Sequence, residues 1–93
     1  MYKFRVPAHL VNLISTLHPE LKKKLRRALN NIITDPFCGK SLKDELEGLR
    51  SLRVSRFRII YRIEAKEIQI VAIGPRSNIY QETYRLIKKE TPP

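Results

Sequence analysis

Residues 49–74, LRSLRVSRFRIIYRIEAKEIQIVAIG, decide the fold because they contain three apolar segments separated by short polar turns. The segments cover residues 49–55, 57–63 and 68–74 and are rich in the β-branched, aliphatic and aromatic residues that favour strands. The polar residues 64–67, EAKE, predict the turn between the second and third segments. Because short turns join antiparallel neighbours, the stretch predicts an antiparallel sheet.

The middle segment carries two unlike sets of side chains, and alternate residues of a strand point to opposite faces of its sheet. One set is apolar: Phe57, Ile59, Tyr61 and Ile63. The other set is rich in arginine: Arg56, Arg58, Ile60 and Arg62. Faces that differ this sharply indicate a sheet with one side on the protein core and the other side open to solvent.

The segment before the sheet predicts a short strand and a helical hairpin. Residues 2–6 alternate between apolar and basic side chains, as a short strand does. Pro7 and Pro19 suit the first turn of a helix. Residues 10–17 and 20–34 carry apolar side chains at helical spacing. We expect the two helices to cover the apolar face of the sheet.

A loop and a short helix complete the predicted chain. Residues 36–48 form the loop, which Leu42 and Leu46 are expected to pin to the core. Residues 79–89 predict a short C-terminal helix, and residues 91–93 predict a frayed tail.

The predicted fold class is therefore α+β. An N-terminal helical hairpin packs on one face of a small, mainly antiparallel, twisted sheet, and a short C-terminal helix follows. The chain has 93 residues, of which 42% are hydrophobic, so a disordered chain is excluded. We expect residues 1–93 to form a single domain around one modest core.

The charge balance points to an anionic partner. Lysine and arginine number 19 against 9 aspartates and glutamates, which gives a net charge of +10. Such an excess repels itself in the compact state. Nucleic acid is the leading candidate for the partner, an acidic protein the second, and a lipid surface the third.

The compartment is predicted from cysteine usage and from the apolar runs. Cys38 is the only cysteine, so no intramolecular disulfide can form, which fits a reducing cytosol. The N-terminal residues lack an apolar signal core, and no apolar run approaches the length of a membrane span. We therefore expect a cytoplasmic protein that is not bound to a membrane.

Arg53, Arg58 and Arg76 are the leading candidates for a functional site. On the predicted topology they lie near the centre of the open face and at the end of the adjacent strand. Converging guanidinium groups repel one another unless they bind an anion, and their planar forks match two phosphate oxygens at once. The alternative is that these arginines are solvated surface charges or pair with glutamates.

Tyr80 is the leading aromatic candidate because it follows Arg76 by four residues. A tyrosine beside an arginine cluster can stack on a base or transfer a proton through its hydroxyl. Tyr84 is expected instead to bury its ring at the edge of the core, and Tyr61 to belong to the core itself.

The remaining reactive side chains lack the context of a catalytic or metal site. His9 and His18 lie on the predicted hairpin without the spacing of metal ligands, and Cys38 has no base near it in sequence. No glycine-rich phosphate loop, paired carboxylate site or zinc motif occurs, so we expect neither a cofactor nor a metal. The basic residues 22–27 form either a nucleic-acid-binding surface or the solvated face of an amphipathic helix.

Several short motifs follow one another in a characteristic order. They are Asp35-Pro36, Leu46-Glu47-Gly48, Leu52-Arg53-Val54, Phe57-Arg58-Ile59-Ile60-Tyr61, and Gly74-Pro75-Arg76 with Ile79-Tyr80. Together with the preceding strand and hairpin, this order resembles the RelE/ParE superfamily of toxins from type II toxin–antitoxin systems. The resemblance covers nearly the whole chain and favours the RelE-like branch.

The resemblance implies an activity and a partner. The RelE branch cleaves mRNA in the ribosomal A site without a metal. The ribose 2′-hydroxyl attacks the adjacent phosphate, which leaves a cyclic phosphate and a 5′-hydroxyl. The resemblance also implies a cognate antitoxin that covers the toxin, and operator DNA that is bound only through the antitoxin complex.

Four residues match catalytic positions of that branch: Arg53, Arg58, Arg76 and Tyr80. Arg58 is expected to stabilise negative charge on the phosphorane oxygens, and Arg76 to hold the scissile phosphate. Tyr80 is expected to stack on a base or to orient the attacking hydroxyl.

The sequence departs from the family pattern at two positions. Ser55 stands near the position where many active members carry a second lysine, and Pro75 stands where others carry histidine. Because arginine is hardly ever deprotonated, Arg53 is a poor general base, and the proton acceptor stays open among Lys43, Glu45 and a ribosomal group. Two alternatives also stay open: a ParE-like inhibitor of DNA gyrase that cuts no RNA, and a plain nucleic-acid-binding module.

Overall fold

The fold is organised around one sheet of five strands. The computed structural model describes residues 2–90, with side chains as far as Lys88. In chain order, β1 to β5 are Lys3–Arg5, Lys40–Ser41, Arg50–Val54, Phe57–Glu64 and Glu67–Pro75. The last three confirm the strands predicted from residues 49–74, and their ends lie within one residue of the predicted positions. The tail predicted at residues 91–93 lies outside the described residues.

Strand β4 is the centre of the sheet. The strand order is β1-β5-β4-β3-β2, so β4 lies between β5 and β3. Strand β1 pairs with β5 in parallel, and the other neighbours are antiparallel. The α+β class and the mainly antiparallel sheet are thus confirmed. No helix within residues 2–90 combines the length and apolar character that a membrane crossing requires.

The predicted helical hairpin is confirmed by α1, Ala8–Ser15, and α2, Pro19–Thr34. Pro19 occupies the first turn of α2, where its missing N–H costs no hydrogen bond. The Nδ1 atom of His18 accepts a hydrogen bond from the backbone N–H of Glu20 at 3.3 Å. His18 therefore caps α2, which satisfies a donor that the helix itself leaves free.

The main core lies between the hairpin and one face of the sheet. Its buried residues come from α1, α2 and strands β3 to β5: Leu10, Leu25, Ala28, Ile32, Val54, Ile59, Tyr61, Ile68, Ile70 and Ile73. Burial of each large aliphatic side chain contributes about 1.5–3 kcal/mol. These contacts fix the hairpin on the face that carries Ile59 and Tyr61.

The opposite face is partly covered by α3, Ile79–Glu90. A second cluster of buried residues forms there from Leu49, Ile60, Ala72 and Ile79. The expectation of an open arginine face is therefore wrong for its middle, because Ile60 and Ala72 present apolar surface that α3 removes from water. Gly74 permits this approach, since a Cβ atom at that position would lie 2.9 Å from Cδ1 of Ile79.

The connection between α2 and β3 is more regular than the predicted loop. It contains two short 3₁₀ turns, Pro36–Cys38 and Asp44–Leu46, on either side of β2. Leu42 and Leu46 pack against the second cluster, which confirms that they pin this connection to the protein interior.

Tyr61 joins the first of these turns to the core. Its ring is fully buried, and its hydroxyl donates to the Pro36 carbonyl at 2.7 Å and accepts from the Gly39 N–H at 3.0 Å. A Cβ atom on Gly39 would lie 2.5 Å from the same hydroxyl oxygen, so glycine is required there. Burial raises the pKa of Tyr61, and the hydrogen bond from Gly39 opposes part of that rise.

We predict that Tyr61→Phe lowers the free energy of unfolding by about 1–3 kcal/mol, because the substitution leaves buried backbone groups without partners. Urea unfolding at pH 7 measures this cost, and Tyr84→Phe, at an exposed tyrosine, is the matched control. The raised pKa means that the folded state favours the neutral phenol. The stabilisation from Tyr61 is therefore complete below about pH 10 and declines as the pH rises further. Equal costs for the two variants at pH 7 would contradict the prediction.

Candidate functional site

Three side chains from different elements meet on the face of the sheet that carries α3. Nη1 of Arg58 on β4 donates a hydrogen bond to Oγ of Ser51 on β3 at 3.0 Å. The hydroxyl of Tyr80, in the first turn of α3, donates to the same oxygen at 3.4 Å. Ser51 is only 2% exposed, so its hydroxyl is a fixed acceptor for both groups. We call Ser51, Arg58 and Tyr80, together with Arg53, the arginine site.

Arg58 and Tyr80 also contact each other through the aromatic ring. The guanidinium carbon of Arg58 lies 5.7 Å from the centroid of the Tyr80 ring, which is within the range of a cation–π interaction. Both side chains are half-buried. Because partial burial lowers the effective dielectric constant, the Arg58 charge would attract an anion more strongly than a fully exposed charge does.

Arg53 extends the site across the β3–β4 hairpin. The Cα atoms of Arg53 and Arg58 are direct partners in the antiparallel register, so both side chains leave the same face. Arg53 is exposed, and its Nε donates a 3.4 Å hydrogen bond to the Ser55 carbonyl. Like charges directly opposite one another destabilise a sheet. A bound phosphate between them would remove that cost.

Arg76 lies at the rim of the arginine site. It follows the end of β5, and its backbone N–H donates to the Arg56 carbonyl at 3.0 Å. Its side chain is exposed, and within the described residues no hydrogen bond or ring contact joins it to Arg58 or Tyr80. The structure thus brings Arg58 and Tyr80 into contact and aligns Arg53 with them, while Arg76 stays beside the group.

The acidic residues near the site leave its charge uncompensated. Asp44, Glu45 and Glu47 are exposed in the turn between β2 and β3. Within the described part of the chain, none of them forms an ion pair with an arginine of the site. The arginine site therefore presents positive charge to a ligand.

The other reactive residues lie elsewhere. His18 caps α2, and Cys38 is exposed in the first 3₁₀ turn. Tyr61 is structural, as expected, but Tyr84 is 38% exposed, so the prediction of a buried ring is wrong. It lies on α3, where Nζ of Lys88 stands 5.5 Å from its ring centroid. Among the described residues, no three side chains of histidine, cysteine, aspartate or glutamate come together as metal ligands do.

Ser51 is the residue that the sequence reasoning missed. It precedes Arg53 by two positions, so strand alternation places both on one face. Strand alternation therefore places Ser51 on the correct face. Nothing in the chemistry of serine, however, indicates a site residue before the position of α3 is known. Only the packing of Tyr80 over β3 makes Ser51 a shared acceptor.

We predict that Ser51→Ala lowers the free energy of unfolding by about 1 kcal/mol, since it removes the acceptor of two hydrogen bonds whose donors retain some access to water. Urea unfolding measures the change, and Ser41→Ala, at an exposed serine on β2, is the control. Arg58→Ala combined with Ser51→Ala should cost less than the sum of the single variants by about 0.5–1 kcal/mol, because the two residues interact. Additive costs would contradict the hydrogen bond.

A family match agrees with this fold and site. The sequence profile of a family described as the ParE toxin of type II toxin–antitoxin systems, parDE, matches residues 3–80. The chain therefore belongs to this toxin family, within the RelE/ParE superfamily of type II toxin–antitoxin systems. Among curated proteins, none matches the sequence significantly.

Solved structures of chains from toxin–antitoxin systems share this architecture. A chain of the RelBE2 toxin–antitoxin complex from Mycobacterium tuberculosis is 25% identical, with a TM-score of 0.69 over 81% of this chain and 98% of that one. The toxin RelE of Escherichia coli, with two arginines changed to alanine and in the free state, is 16% identical, with a TM-score of 0.73 over 98% of each chain. The archaeal RelE–RelB complex from Pyrococcus horikoshii gives 20% identity and a TM-score of 0.68, over 81% of this chain and 94% of that one.

Proposed function

We propose that residues 1–93 act as one toxin domain that cleaves mRNA on the ribosome and so inhibits translation. The observation that carries the proposal is the contact of Arg58 with Tyr80 and Ser51, opposite Arg53. Within the described residues, no carboxylate is ion-paired with either arginine. This arrangement offers a preorganised cation, an aromatic face and a hydroxyl group to one phosphodiester. The resemblance of the sequence to the RelE branch is the reason for proposing RNA as the substrate.

The proposed reaction is attack of a ribose 2′-hydroxyl on the adjacent phosphate. A bond forms between the 2′-oxygen and phosphorus, and the bond to the 5′-oxygen of the next nucleotide breaks. Negative charge builds on the non-bridging oxygens, where Arg58 and Arg53 stabilise it. Arg76, at the rim, holds the phosphate from the side of β5. The products are a cyclic phosphate and a 5′-hydroxyl.

Proton transfer falls to groups other than the arginines, because guanidinium ions do not act as bases at neutral pH. In the proposal, Tyr80 orients the attacking hydroxyl or stacks on a base, and the proton of that hydroxyl passes to Lys43, Glu45 or a ribosomal group. The leaving 5′-oxygen takes up a proton from water or from a ribosomal group, which completes the 5′-hydroxyl. The ribosome also holds the RNA strand in line for attack. Such positioning can supply about 7–11 kcal/mol of the barrier.

We further propose that a cognate antitoxin neutralises the toxin. The similar chains from Mycobacterium tuberculosis and Pyrococcus horikoshii are parts of toxin–antitoxin complexes, which supports a partner of this kind. An acidic antitoxin segment would offset the net charge of +10. Operator DNA would be bound only through the antitoxin complex, and both partners would act in the cytoplasm.

A second candidate function rests on the family match itself. The matching profile is that of the ParE toxin, not of RelE. A ParE-like protein would inhibit DNA gyrase by contact and would cut no RNA. Among residues 2–90, no carboxylate or histidine is hydrogen-bonded or ion-paired with Arg58, which favours this candidate.

We predict that induced wild-type protein produces new 5′ ends on ribosome-bound mRNA, and that Arg58→Ala lowers the rate of their formation by about 10²–10³-fold, the loss expected when one charge-stabilising donor is removed. Mapping of 5′ ends after induction measures the rate. Arg85→Ala removes an exposed arginine on α3 and is the matched control.

The two candidate functions give opposite results in that experiment. Translation arrest with cleaved mRNA supports the endoribonuclease. Intact mRNA together with induction of the SOS response would reject it in favour of gyrase inhibition.

A further inference from the structure

The exposed side of α2 carries an unusual density of positive charge. Five of the six residues at positions 22–27 are lysine or arginine. Lys22 is half-buried, and the other four are exposed. Arg27 lies four residues after Lys23 and three after Lys24, so it is about one helical turn from each. Like charges at these spacings destabilise a helix. Lys22 also lies in the first turn, where the helix dipole disfavours a cation.

Little within the protein offsets this repulsion. Glu20 is the one acidic residue of α2, and it stands four residues before Lys24. Within the described residues, none of the five cations is ion-paired. A helix that keeps unpaired like charges at unfavourable positions is stabilised when an external polyanion binds, because the repulsion is then screened.

The surface around these cations is concave and extends to the β3–β4 turn, beyond which lies the opposite face of the sheet with the arginine site. A depression of about 400 Å³ is lined by Pro19, Glu20, Lys23, Lys24 and Arg27. A second depression of about 220 Å³ shares Glu20 and Lys24 with the first and is also lined by Arg56 in the β3–β4 turn. The Arg56 carbonyl accepts the backbone N–H of Arg76, so this turn touches the rim of the arginine site.

We propose that Lys23, Lys24 and Arg27, which we call the basic ridge, bind the phosphate backbone of an RNA strand that runs over Arg56 into the arginine site. The inference rests on the proposed function for the choice of RNA as the polyanion. The three side chains of the ridge are cations without an aromatic ring, so they contact phosphates and hold the strand without sequence preference. Its role is to position the RNA, distinct from the chemistry at Arg58.

The test compares two double variants with the same change in net charge. Lys23→Gln with Arg27→Gln removes two charges from the ridge, and Lys3→Gln with Lys66→Gln removes two exposed charges at the β1 and β4–β5 edge. Both pairs are built into the full chain carrying Arg58→Ala, so that the RNA stays intact. Binding of a single-stranded RNA of about 16 nucleotides, the upper site size of a compact single-strand-binding domain, is measured by fluorescence anisotropy at several salt concentrations.

Loss of two phosphate contacts should make the slope of log affinity against log salt concentration shallower by about 1.4 and weaken binding about twentyfold at 0.1 M salt. The edge variant should keep the slope of its parent. Equal losses in the two variants would overturn the inference, since the ridge would then be only a solvated surface. Circular dichroism verifies that α2 is retained, and Lys24→Gln alone serves as a second, milder ridge variant with an expected slope change of about 0.7.

Two further results keep this inference separate from the proposed function. A polyglutamate peptide is measured in parallel. If the ridge variant lost affinity for the peptide but not for RNA, the ridge would be a surface for an acidic protein and the inference would be overturned. Cleavage of mRNA by chains with native Arg58 is mapped independently, so intact mRNA would reject the endoribonuclease even where the ridge binds RNA as predicted.

Discussion

Strand β4 must be covered on both of its faces, and this constraint shapes the whole protein. Ile59 and Tyr61 point to one face and Ile60 to the other, and all three are fully buried. The helical hairpin covers the first face, and α3 covers the second. Because apolar surface on each face is driven out of water, the central strand requires two layers, and the arginines of the second face are left where the cover of α3 ends.

That boundary sets the environment of Arg58. Arg58 is the neighbour of the buried Ile60 on the same face of β4, and it is only half-buried because α3 covers it in part. A fully exposed arginine would be screened by water and would sample many rotamers. A fully buried one would pay a desolvation cost of several kcal/mol. Ser51 and Tyr80 hold Arg58 between these limits, where the guanidinium is fixed and still accessible to an anion.

Much of this could be predicted from the sequence, because strand alternation and helical spacing are local signals. The alternation in residues 57–63 predicted both faces of β4, and the spacing of leucines and isoleucines predicted the hairpin. The direct pairing of Arg53 with Arg58 was not predicted, because it depends on the two-residue turn at Ser55 and Arg56, which fixes the register of β3 and β4. The packing of α3 on the second face was not predicted. Ile60 is the single apolar residue among the arginines of that face, and one such residue does not indicate which element will bury it. The shared hydroxyl of Ser51 depends on that cover and was missed for the same reason.

The positive charges repel one another in the free chain and at the same time attract anions. Arg53 on β3 lies directly opposite Arg58 on β4, and the basic ridge places like charges about one turn apart along α2. Each arrangement costs some stability in the free chain, by roughly 0.2–1 kcal/mol for a directly opposed pair in a sheet. The apolar contacts on both faces of β4 offset this repulsion, since they depend on the burial of apolar surface and not on charge. A polyanion that binds across these cations removes the repulsion and also releases counterions, so both terms favour binding at low salt concentration. By the same argument, the charge excess that lowers the stability of the isolated chain would strengthen a complex with a polyanion, whether that is a nucleic acid or an acidic protein.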